Sequence, residues 1–597
     1  MRQSDIVSTM ADTPNSKPAS RAPAANAAAR AELKLAHSAS DVSQTLASLP
    51  IDLGKITDPV LKQAIAILFN LVERQAAEIR ALREENQRLK DENNRLKGEQ
   101  GKPNIKPNQT HSDISSEKER RSREPDSRQE RGTKLDKIKI HRTEVCHIDR
   151  AGLPGDLVSK GYQSVVVQEL EIKAANIEFQ KELLYSPSQQ KTYMAALPAG
   201  YDGEYGPGIR ALVLSMKFVC NLSEPKILEF LQEQGVLISA ATISRLLTRG
   251  AGQFHQEKAD LFAAALESSA YHQIDDTAAR VRGQNYHTQI LCNEFYAAFF
   301  TTARKDRLTI LDVLRRFESR TFLFNAESAH LLDVLQVPAP VLRKLAGVPQ
   351  GVCFNEVEFE ALLDQRFPDR VKSAHYRTQI KEAAAIAAYH QETGRPVVEI
   401  LLCDDAPQFK LLTEELALCW VHDGRHYKKL CPVVPQHVQL LEAFRARYWD
   451  FYAQLLAYKE QPSAERAAQL SAAFDELFAT QTGYDDLDHR IRKTRPKKAM
   501  LLLVLQHPEL PLHNNACELE ARVVVRRRDV SLHTMTALGT QACDTMTSIV
   551  RTAKKLGLSA FKYIRDRVSL SFQLPSLAEL IRARAAQRFT GPCAKTS

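Results

Sequence analysis

Apolar residues between positions 59 and 96 recur with a seven-residue period. One core position of the heptad is occupied by Leu61, Leu68, Gln75, Leu82, Leu89 and Leu96, and the other by Ile65, Val72, Ile79, Asn86 and Asn93. This a/d pattern predicts a coiled coil over residues 56–100, and the buried asparagines favour a parallel dimer, because each amide can pair with its symmetry mate. The alternative is a single amphipathic helix that packs on its own chain.

The pattern changes to shorter elements over residues 141–255. The stretch QSVVVQELEIKAANIEF alternates apolar and polar residues, which predicts a short β-meander. Helical blocks follow near 209–219, after Ser223 with a stop near Gly235, and after Ser239, since serine suits the start of a helix and glycine its end.

Two short helices joined by a glycine-containing turn are typical of a helix-turn-helix. The third block would present polar side chains to the major groove of DNA. These candidate DNA contacts are Thr242, Ser244, Arg245 and Arg249. A plain helical bundle fits the same spacing equally well.

Two later apolar stretches predict strands that carry aspartates. The segments 271–281 (YHQIDDTAARV) and 287–300 (HTQILCNEFYAAFF), with turn residues at 282–285, predict a β-hairpin. Its first strand holds Asp275 and Asp276, which must point to opposite faces. The run VVEILLC predicts a strand buried on both faces, ending in Asp404 and Asp405, where α/β sheets place their functional sites.

A third acidic residue lies on a predicted helix. Pro508 and Pro511 precede the segment HNNACELEARVVVRRR, where Asn514 or Asn515 can start a helix with Glu518 in its first turn. A structural role is the alternative, because Asn515 and Glu518 have the spacing of a capping box and Arg522 lies at i+4 for an ion pair.

Taken singly, each acidic group is more often structural, but the combination predicts an α/β RNase H-like catalytic core. Its strands would lie in residues 265–305 and 395–415 and its Glu-bearing helix in 508–570, with large helical insertions at 306–394 and 416–507. Carboxylates that converge from two strands and a helix can hold two Mg²⁺ (or Mn²⁺) ions about 4 Å apart for phosphodiester cleavage. Arginines and lysines flank Glu518 on both sides, which suits a phosphate groove or a solvated basic face.

Composition restricts the class of protein further. The chain has 597 residues, 44% of them hydrophobic, and a net charge of +9, which excludes collagen-like and wholly disordered classes and favours a polyanionic partner. The ten cysteines form no CxxC pair, and no apolar run is long enough to span a membrane, so a cytoplasmic protein is expected. We expect a disordered tail at 1–55, a charged linker at 101–140 and a C-terminal tail at 571–597.

The three acidic segments and two others resemble the transposases of the insertion sequence 66 family, which belong to the DDE superfamily. IDDTAARV and LLCDDAPQF are similar to its two Asp motifs, and CWVHDGRHYKKL, HNNACELEARVVVRRRDVSL and SIVRTAKKLGLSAFKYIRD to its later blocks. The resemblance covers most of residues 60–570. Three departures indicate a divergent branch or a decayed copy: the family's cysteine zinc module is missing, His513 stands where the family has Asp, and Asp405 stands where the family has Gly.

The resemblance implies a catalytic and metal-binding triad of Asp275, Asp404 and Glu518, with Asp276 and Asp405 as the alternatives. It also implies small accessory proteins encoded beside the gene. The basic residues near the triad are candidates for contacts to DNA phosphates. The candidate phosphate contacts are His422, Arg425, Arg522, Arg526 and Arg527.

Three functions remain open at this point. The first is a DNA transposase that binds element ends, cleaves with two metal ions and joins the 3′-hydroxyl to target DNA, as a homodimer through the coiled coil. The second is an inactive DNA-binding repressor derived from one. The third is a coiled-coil scaffold with a chance triad, which predicts no DNA affinity.

Overall fold

The computed structural model describes residues 56–97, 138–149, 153 and 160–589. The predicted N-terminal tail and nearly all of the charged linker lie outside the described residues. Contacts within the chain divide it into two units. The first contains residues 56–97, 424–451 and 472–496, and the second contains the other described residues.

The N-terminal elements are mostly helices. They are α1 (Pro59–Leu96), β1 (Leu183–Ser186), β2 (Lys191–Met194), α2 (Pro207–Phe218), α3 (Glu224–Glu233), α4 (Ala240–Thr248) and α5 (Phe254–Ser268). Helices α2, α3 and α4 contact one another. The end signals act as predicted at two places: Gly235 has φ +77° after α3, and the Ser239 hydroxyl accepts a hydrogen bond from the Thr242 N–H at the start of α4. Ser223 is the N-cap of α3 but makes no side-chain capping bond.

The predicted β-meander is wrong. Residues 163–179 form no strand, and the antiparallel pair of β1 and β2 lies further along the chain. Val165, Val167 and Leu170 are each more than three-quarters exposed. Alternation specifies a strand only where one face has a surface to bury against, and the described residues offer this stretch none.

The middle of the chain contains the sheet-forming elements. They are β3 (His272–Val281), β4 (Gln284–Cys292), β5 (Ala297–Thr302), α6 (Arg307–Leu314), β6 (Thr321–Leu323), α7 (Ala326–Val334), α8 (Ala339–Lys344), β7 (Cys353–Asn355), α9 (Glu356–Arg366), α10 (Ala374–His390), β8 (Ile400–Cys403) and β9 (Glu415–Leu418).

Helices make up the rest of the described chain. They are α11 (Trp420–Lys428), α12 (Pro435–Glu460), α13 (Ala464–Phe478), α14 (Asp485–Thr494), α15 (Lys498–Leu501), α16 (Asn515–Ser531), α17 (Ala537–Lys555), α18 (Ala560–Val568) and α19 (Leu577–Phe589).

Five strands form one mixed sheet in the order β5-β4-β3-β8-β9. Strands β3, β4 and β5 are antiparallel neighbours, whereas β3 pairs with β8, and β8 with β9, in parallel. All four residues of β8 are buried, as expected for a central strand covered on both faces. The protein is therefore a mixed α/β structure whose sheet contains both predicted aspartate strands.

The predicted hairpin is correct in its turn but wrong in its second strand. Arg282 and Gly283 have φ of +50° and +78°, the positive values that a tight two-residue hairpin turn needs. The run 287–300 was predicted as one strand, yet it breaks after Cys292 into β4 and β5. The Asn293 side chain accepts a hydrogen bond from the Phe295 N–H, and this asparagine turn reverses the chain.

Two expectations for the flanking regions also need correction. The 306–394 region is mainly helical, but β6 and β7 pair within it through Phe322 and Phe354. The end of the chain is not a simple tail, because α19 packs on α5 with Leu577 and Ile581 fully buried. Residues 577, 581 and 585 form an apolar stripe at helical spacing, which the composition-based prediction overlooked.

In the first unit, the outer face of α1 packs on residues of its own chain. Phe69 and Glu73 are buried, and the Glu73 carboxylate accepts hydrogen bonds from the backbone N–H groups of Val433 and Val434. Asn70 donates to the Gly483 carbonyl at 2.9 Å. The alternative of a helix packed on its own chain is thus realised on this face, whereas the five heptad leucines remain at least half exposed.

Within the part of the chain that the structure describes, no helix has both the length and the apolar character that crossing a bilayer requires.

Candidate functional site

The register of the sheet sets Asp275 beside Asp404. In the parallel pair of β3 and β8, His272 lies opposite Leu401 and Gln273 opposite Leu402. The same offset of 129 residues relates Asp275 to Asp404, which directly follows β8. Neighbouring strands are about 4.8 Å apart, and residues in equivalent positions point to the same face. The two carboxylates therefore extend from adjacent strands towards one side of the sheet.

Helix α16 packs on that same side. Cys517 lies in a buried cluster with Ile290, Cys292 and Phe299, and Ile290 is the register partner of Asp275 on β4. Because directly opposite residues of an antiparallel pair share a face, Asp275 and Cys517 lie on the same side of the sheet. Glu518 follows Cys517 in the first turn of α16 and has a side chain only 14% exposed. The helix thus brings the third carboxylate towards the first two.

A hydrogen bond ties the start of this helix to the first aspartate strand. Asn514 is fully buried, and its Nδ2 donates to the Ile274 carbonyl at 2.7 Å. Its backbone N–H also approaches the Cys419 sulfur at 3.2 Å, just before α11. Since Ile274 immediately precedes Asp275, Asn514 fixes the distance between the two elements that carry Asp275 and Glu518.

Electrostatics indicate that the three carboxylates share one environment. The pKa of Asp275 is raised to about 7, chiefly by burial and also by the negative charges of Asp404, Asp276 and Glu518, against a lowering hydrogen bond from the Asp276 N–H. Among the described residues, no cationic side chain forms an ion pair with Asp275 or Asp404. Asp275 and Asp404 are therefore acidic groups that no cation of the described residues compensates, which is typical of functional carboxylates.

The two alternative aspartates have a different environment. Asp276 lies 3.1 Å from Lys305 and accepts a hydrogen bond from Gln408. Asp405 lies 2.8 Å from Lys410 and 2.6 Å from Lys497. Burial would raise the pKa of Asp405, but the hydrogen bonds from these lysines outweigh it, and the pKa is lowered. Compensated carboxylates of this kind hold a structure together more readily than they attract a metal ion.

Hard carboxylate oxygens are the ligands that Mg²⁺ and Mn²⁺ prefer, so the donor types and the uncompensated charge at Asp275 fit a divalent cation. The positions fit less completely: within the described ranges, no three His, Cys, Asp or Glu side chains are grouped closely enough to hold an ion. Metal binding would require the carboxylates of Asp275, Asp404 and Glu518 to draw together.

Two further side chains approach Glu518. His422 Nε2, on α11, lies 3.3 Å from one carboxylate oxygen, and Arg522 lies 3.9 Å from the other. The capping-box alternative is wrong, because the N-cap of α16 is Asn514 and not Asn515, and Asn514 makes no side-chain capping bond. Its amide binds the sheet instead, so Glu518 is not needed to cap its own helix.

The predicted DNA contacts divide by exposure. Arg245 on α4, Arg249 directly after α4, and Arg522 and Arg526 on α16 are exposed, whereas Thr242, Ser244 and Arg425 are half-buried. Arg425 belongs to the first unit.

The prediction that Arg527 contacts DNA phosphates is wrong. Its side chain is buried, donates to Thr547 and Cys543 of α17, and lies over the Phe218 ring. A run of three arginines on a packed helix must turn at least one of them inward, and the run alone does not say which.

Sequence reasoning missed the positioning role of Asn514 and the pairing of Cys292 with Cys517, whose sulfurs lie 3.0 Å apart. The HNN sequence was a usable signal, but it was interpreted only as a helix cap. Nothing in the cysteine spacing marks the thiol pair, because 225 residues separate the two.

Comparison with known proteins gives a family match and a similar protein. Residues 371–542, which contain Asp404 and Glu518, match the model of the family described as Transposase IS66 family. The chain is 35% identical over 324 residues to an uncharacterized protein, y4jO, of Sinorhizobium fredii (strain NBRC 101917 / NGR234), covering 54% of this chain and 99% of that protein. No solved structure matches. The chain belongs to the Transposase IS66 family, as a divergent member.

Proposed function

We propose that this protein is a DNA transposase that cleaves the ends of a mobile element and joins the freed 3′-hydroxyl to target DNA. The observation that carries the proposal is the register that sets Asp275 beside Asp404 on adjacent parallel strands, and the charges of Asp404 and Glu518, which raise the pKa of Asp275, support it. The order β5-β4-β3-β8-β9, with three antiparallel strands followed by two parallel ones, supports an RNase H-like core. In such a core the three carboxylates meet although they are far apart in sequence.

The residues of the candidate site have separate roles in the proposed reaction. Asp275, Asp404 and Glu518 would hold Mg²⁺ or Mn²⁺, which supplies Lewis-acid activation of the attacking oxygen and stabilises the leaving oxygen. His422, 3.3 Å from Glu518, orients that carboxylate. Arg522 and Arg526 on the exposed side of α16 bind phosphates that flank the cleaved bond. Hydrolysis and strand transfer are both in-line displacements at phosphorus, so the same residues serve both.

DNA recognition is assigned to the three-helix region. Arg245 is exposed on α4 and Arg249 directly after it, and the Arg245 guanidinium donates to Thr242, which fixes its direction. A recognition helix of nine residues is long enough to enter a major groove with its N-terminal half. We assign binding of the element ends to this surface.

Dimerisation is assigned to α1. Phe69, Asn70 and Glu73, which pack on the same chain, occupy outer heptad positions. The core seam with Leu82 and Leu89 stays exposed, with both side chains more than half accessible. A helix docked by its outer face and free along its a/d seam is suited to pair with a second copy. Two subunits would then match the two ends of an element.

The experiment is a cleavage assay on a supercoiled plasmid that carries the inverted repeats flanking this gene. In Mg²⁺ the protein should nick at the repeat ends and join the 3′-hydroxyl to target DNA, and EDTA should stop both. Asp275→Asn, Asp404→Asn and Glu518→Gln should each abolish cleavage without abolishing binding. The ion-paired neighbours supply matched controls, because Asp276→Asn and Asp405→Asn should keep activity.

One observation favours a second candidate, an inactive DNA-binding repressor. Among the described residues no three ligand side chains are already grouped for a metal ion. Binding of the repeats without any Mg²⁺- or Mn²⁺-dependent cleavage would support the repressor and rule out the active transposase.

A further inference from the structure

The segment that follows α16 exposes large apolar side chains. Val530, Leu532, Met535 and Leu538 are 50%, 70%, 63% and 59% exposed. Single exposed apolar residues are ordinary, but four within nine residues form a patch that folding does not account for. We call residues 530–538 the apolar tip.

Leu532 is held in a backbone conformation that leucine rarely adopts. It ends α16 with φ +58° and ψ −86°. A glycine would take this conformation without a Cβ penalty, whereas a leucine costs about 1–3 kcal/mol. Because the side chain is also largely in solvent, neither backbone preference nor packing explains a leucine here. A contact of this side chain with a binding partner would account for it.

The apolar tip is tied to the far end of the first aspartate strand. The Arg282 N–H donates to the Thr534 carbonyl at 2.8 Å, and Val281 forms a parallel bridge with Thr534. From the carboxylates to this point run six residues of β3 (275 to 281) and thirteen of α16 (518 to 531). At about 3.3 Å per strand residue and 1.5 Å per helix residue, both paths are about 20 Å long.

The path from the carboxylates to the tip is basic. Between Ala521 and Cys543 the chain has four arginines and one aspartate. Arg522 and Arg526 follow Glu518 at intervals of one helical turn, on exposed positions. In the described part of the chain, Arg526, Arg280 and Arg282 have no acidic partner. A nucleic acid has phosphates on its outside and stacked bases inside. Unpaired cations beside exposed apolar side chains are therefore complementary to it.

We propose that the apolar tip is a wedge that inserts Leu532 between base pairs of the bound DNA, about six base pairs from the cleaved phosphate. This rests on the proposed function, because it requires DNA to lie along α16 from the carboxylate site. The distance follows from the 20 Å path and the 3.4 Å rise per base pair of a duplex. Insertion unstacks one base step and bends the duplex. It fixes which phosphate reaches the carboxylates without reading sequence.

The test uses repeat-end duplexes with the fluorescent base 2-aminopurine placed at successive positions three to nine base pairs from the cleavage site. Unstacking raises the fluorescence of this base, so wild type should give a maximum near the sixth position. Asp275→Asn should give the same maximum, since insertion needs no chemistry. Leu532→Gly and Leu532→Ser should lose it and bind the ends about 10- to 100-fold more weakly, the loss expected when one leucine side chain is no longer buried.

Controls separate this role from a structural one. Leu532→Gly relieves the positive-φ strain, so its melting temperature should equal or exceed that of wild type. Val371→Ser, at an 87% exposed position outside the tip, should behave as wild type in every readout.

Each contrary result has a definite meaning. Cleavage by wild type with no fluorescence maximum would overturn the wedge and leave the transposase proposal standing. Failure of wild type to bind the repeat ends would overturn both. A Leu532→Gly protein that keeps the maximum but loses self-association would overturn the wedge in favour of a contact between copies.

Discussion

Replacement of Asp275 by asparagine should stabilise the metal-free protein at neutral and alkaline pH. The pKa of Asp275 is about 7 in the folded protein, because burial and the neighbouring carboxylates disfavour its charge. In the unfolded chain an aspartate has a pKa of about 3.9. The folded state therefore keeps a proton that the unfolded state has released, and the free energy of unfolding falls as the pH rises between these two values.

The size of the effect follows from the shift. About three pKa units at 1.36 kcal/mol each give on the order of 4 kcal/mol, lost between about pH 4 and pH 7 and fully absent above it. This is an upper limit, because solvent and side-chain relaxation reduce the penalty of a buried charge. For a domain of 150–250 residues it corresponds to a shift in melting temperature of roughly 10 °C.

The assay is thermal unfolding in EDTA from pH 4 to pH 9. Wild type and Asp275→Asn should melt alike at pH 4, and the variant should melt higher at pH 8. Mg²⁺ should raise the wild-type melting temperature at pH 8 more than that of the variant. Asp276→Asn is the matched control: it breaks the contact with Lys305 but keeps the buried Asp275, so its melting temperature should still fall between pH 4 and pH 8 as that of wild type does. Parallel pH profiles for wild type and Asp275→Asn would refute the reasoning.

Three further predictions concern the supports of the site and the N-terminal helix. Asn514→Ala leaves the buried Ile274 carbonyl without its 2.7 Å donor, which costs about 1–3 kcal/mol of free energy. This variant should therefore slow Mg²⁺-dependent cleavage about 5- to 150-fold in single turnover, whereas Asn515→Ala should not. Equal rates for the two variants would contradict the positioning role of Asn514. Glu73→Ala should destabilise the first unit by about 2–4 kcal/mol and expose α1 to proteolysis. Glu78→Ala, at an exposed position of the same helix, should do neither. Equal resistance of the two variants to proteolysis would contradict the contacts of Glu73. Leu82→Asp should convert the dimer to a monomer, as measured by sedimentation, while α1 stays packed on its own chain. An unchanged sedimentation coefficient would exclude the a/d seam as the dimer interface.

Acid should reproduce the loss of the Glu73 contact. Burial raises the pKa of Glu73, but hydrogen bonds from His437, Val434 and Val433 outweigh burial, and the pKa is lowered. A carboxyl with a lowered folded pKa stabilises above its unfolded value near 4.3, and this contribution is lost as the pH falls through the folded value.

The elements that carry the three carboxylates could be predicted from sequence because their local signals were strong. The apolar run before Asp404, the turn residues after β3 and the prolines before α16 each define an element without help from the rest of the chain. Strand register, in contrast, comes from tertiary packing. Only the pairing of His272 with Leu401 decides that Asp275, and not Asp276, stands beside Asp404.

Two of the failed predictions depend on tertiary packing, which the local sequence does not show. The stretch 163–179 alternates as a strand does but lacks a surface to bury against, and Arg527 points inward only because α17 packs on that side of α16. The break at Asn293 is a failure of another kind, since its turn chemistry was readable from the side chain alone. The strain at Leu532 could not be inferred from sequence, because leucine ordinarily avoids that backbone conformation.

The central claim is that three acidic side chains distant in sequence act as one cation site, and Mn²⁺ titration followed by electron paramagnetic resonance measures it directly. Wild type should bind Mn²⁺, Asp275→Asn, Asp404→Asn and Glu518→Gln should each weaken the binding, and Asp276→Asn should leave it unchanged. Wild-type affinity in all three triad variants would contradict the account, because the carboxylates would then not share an ion.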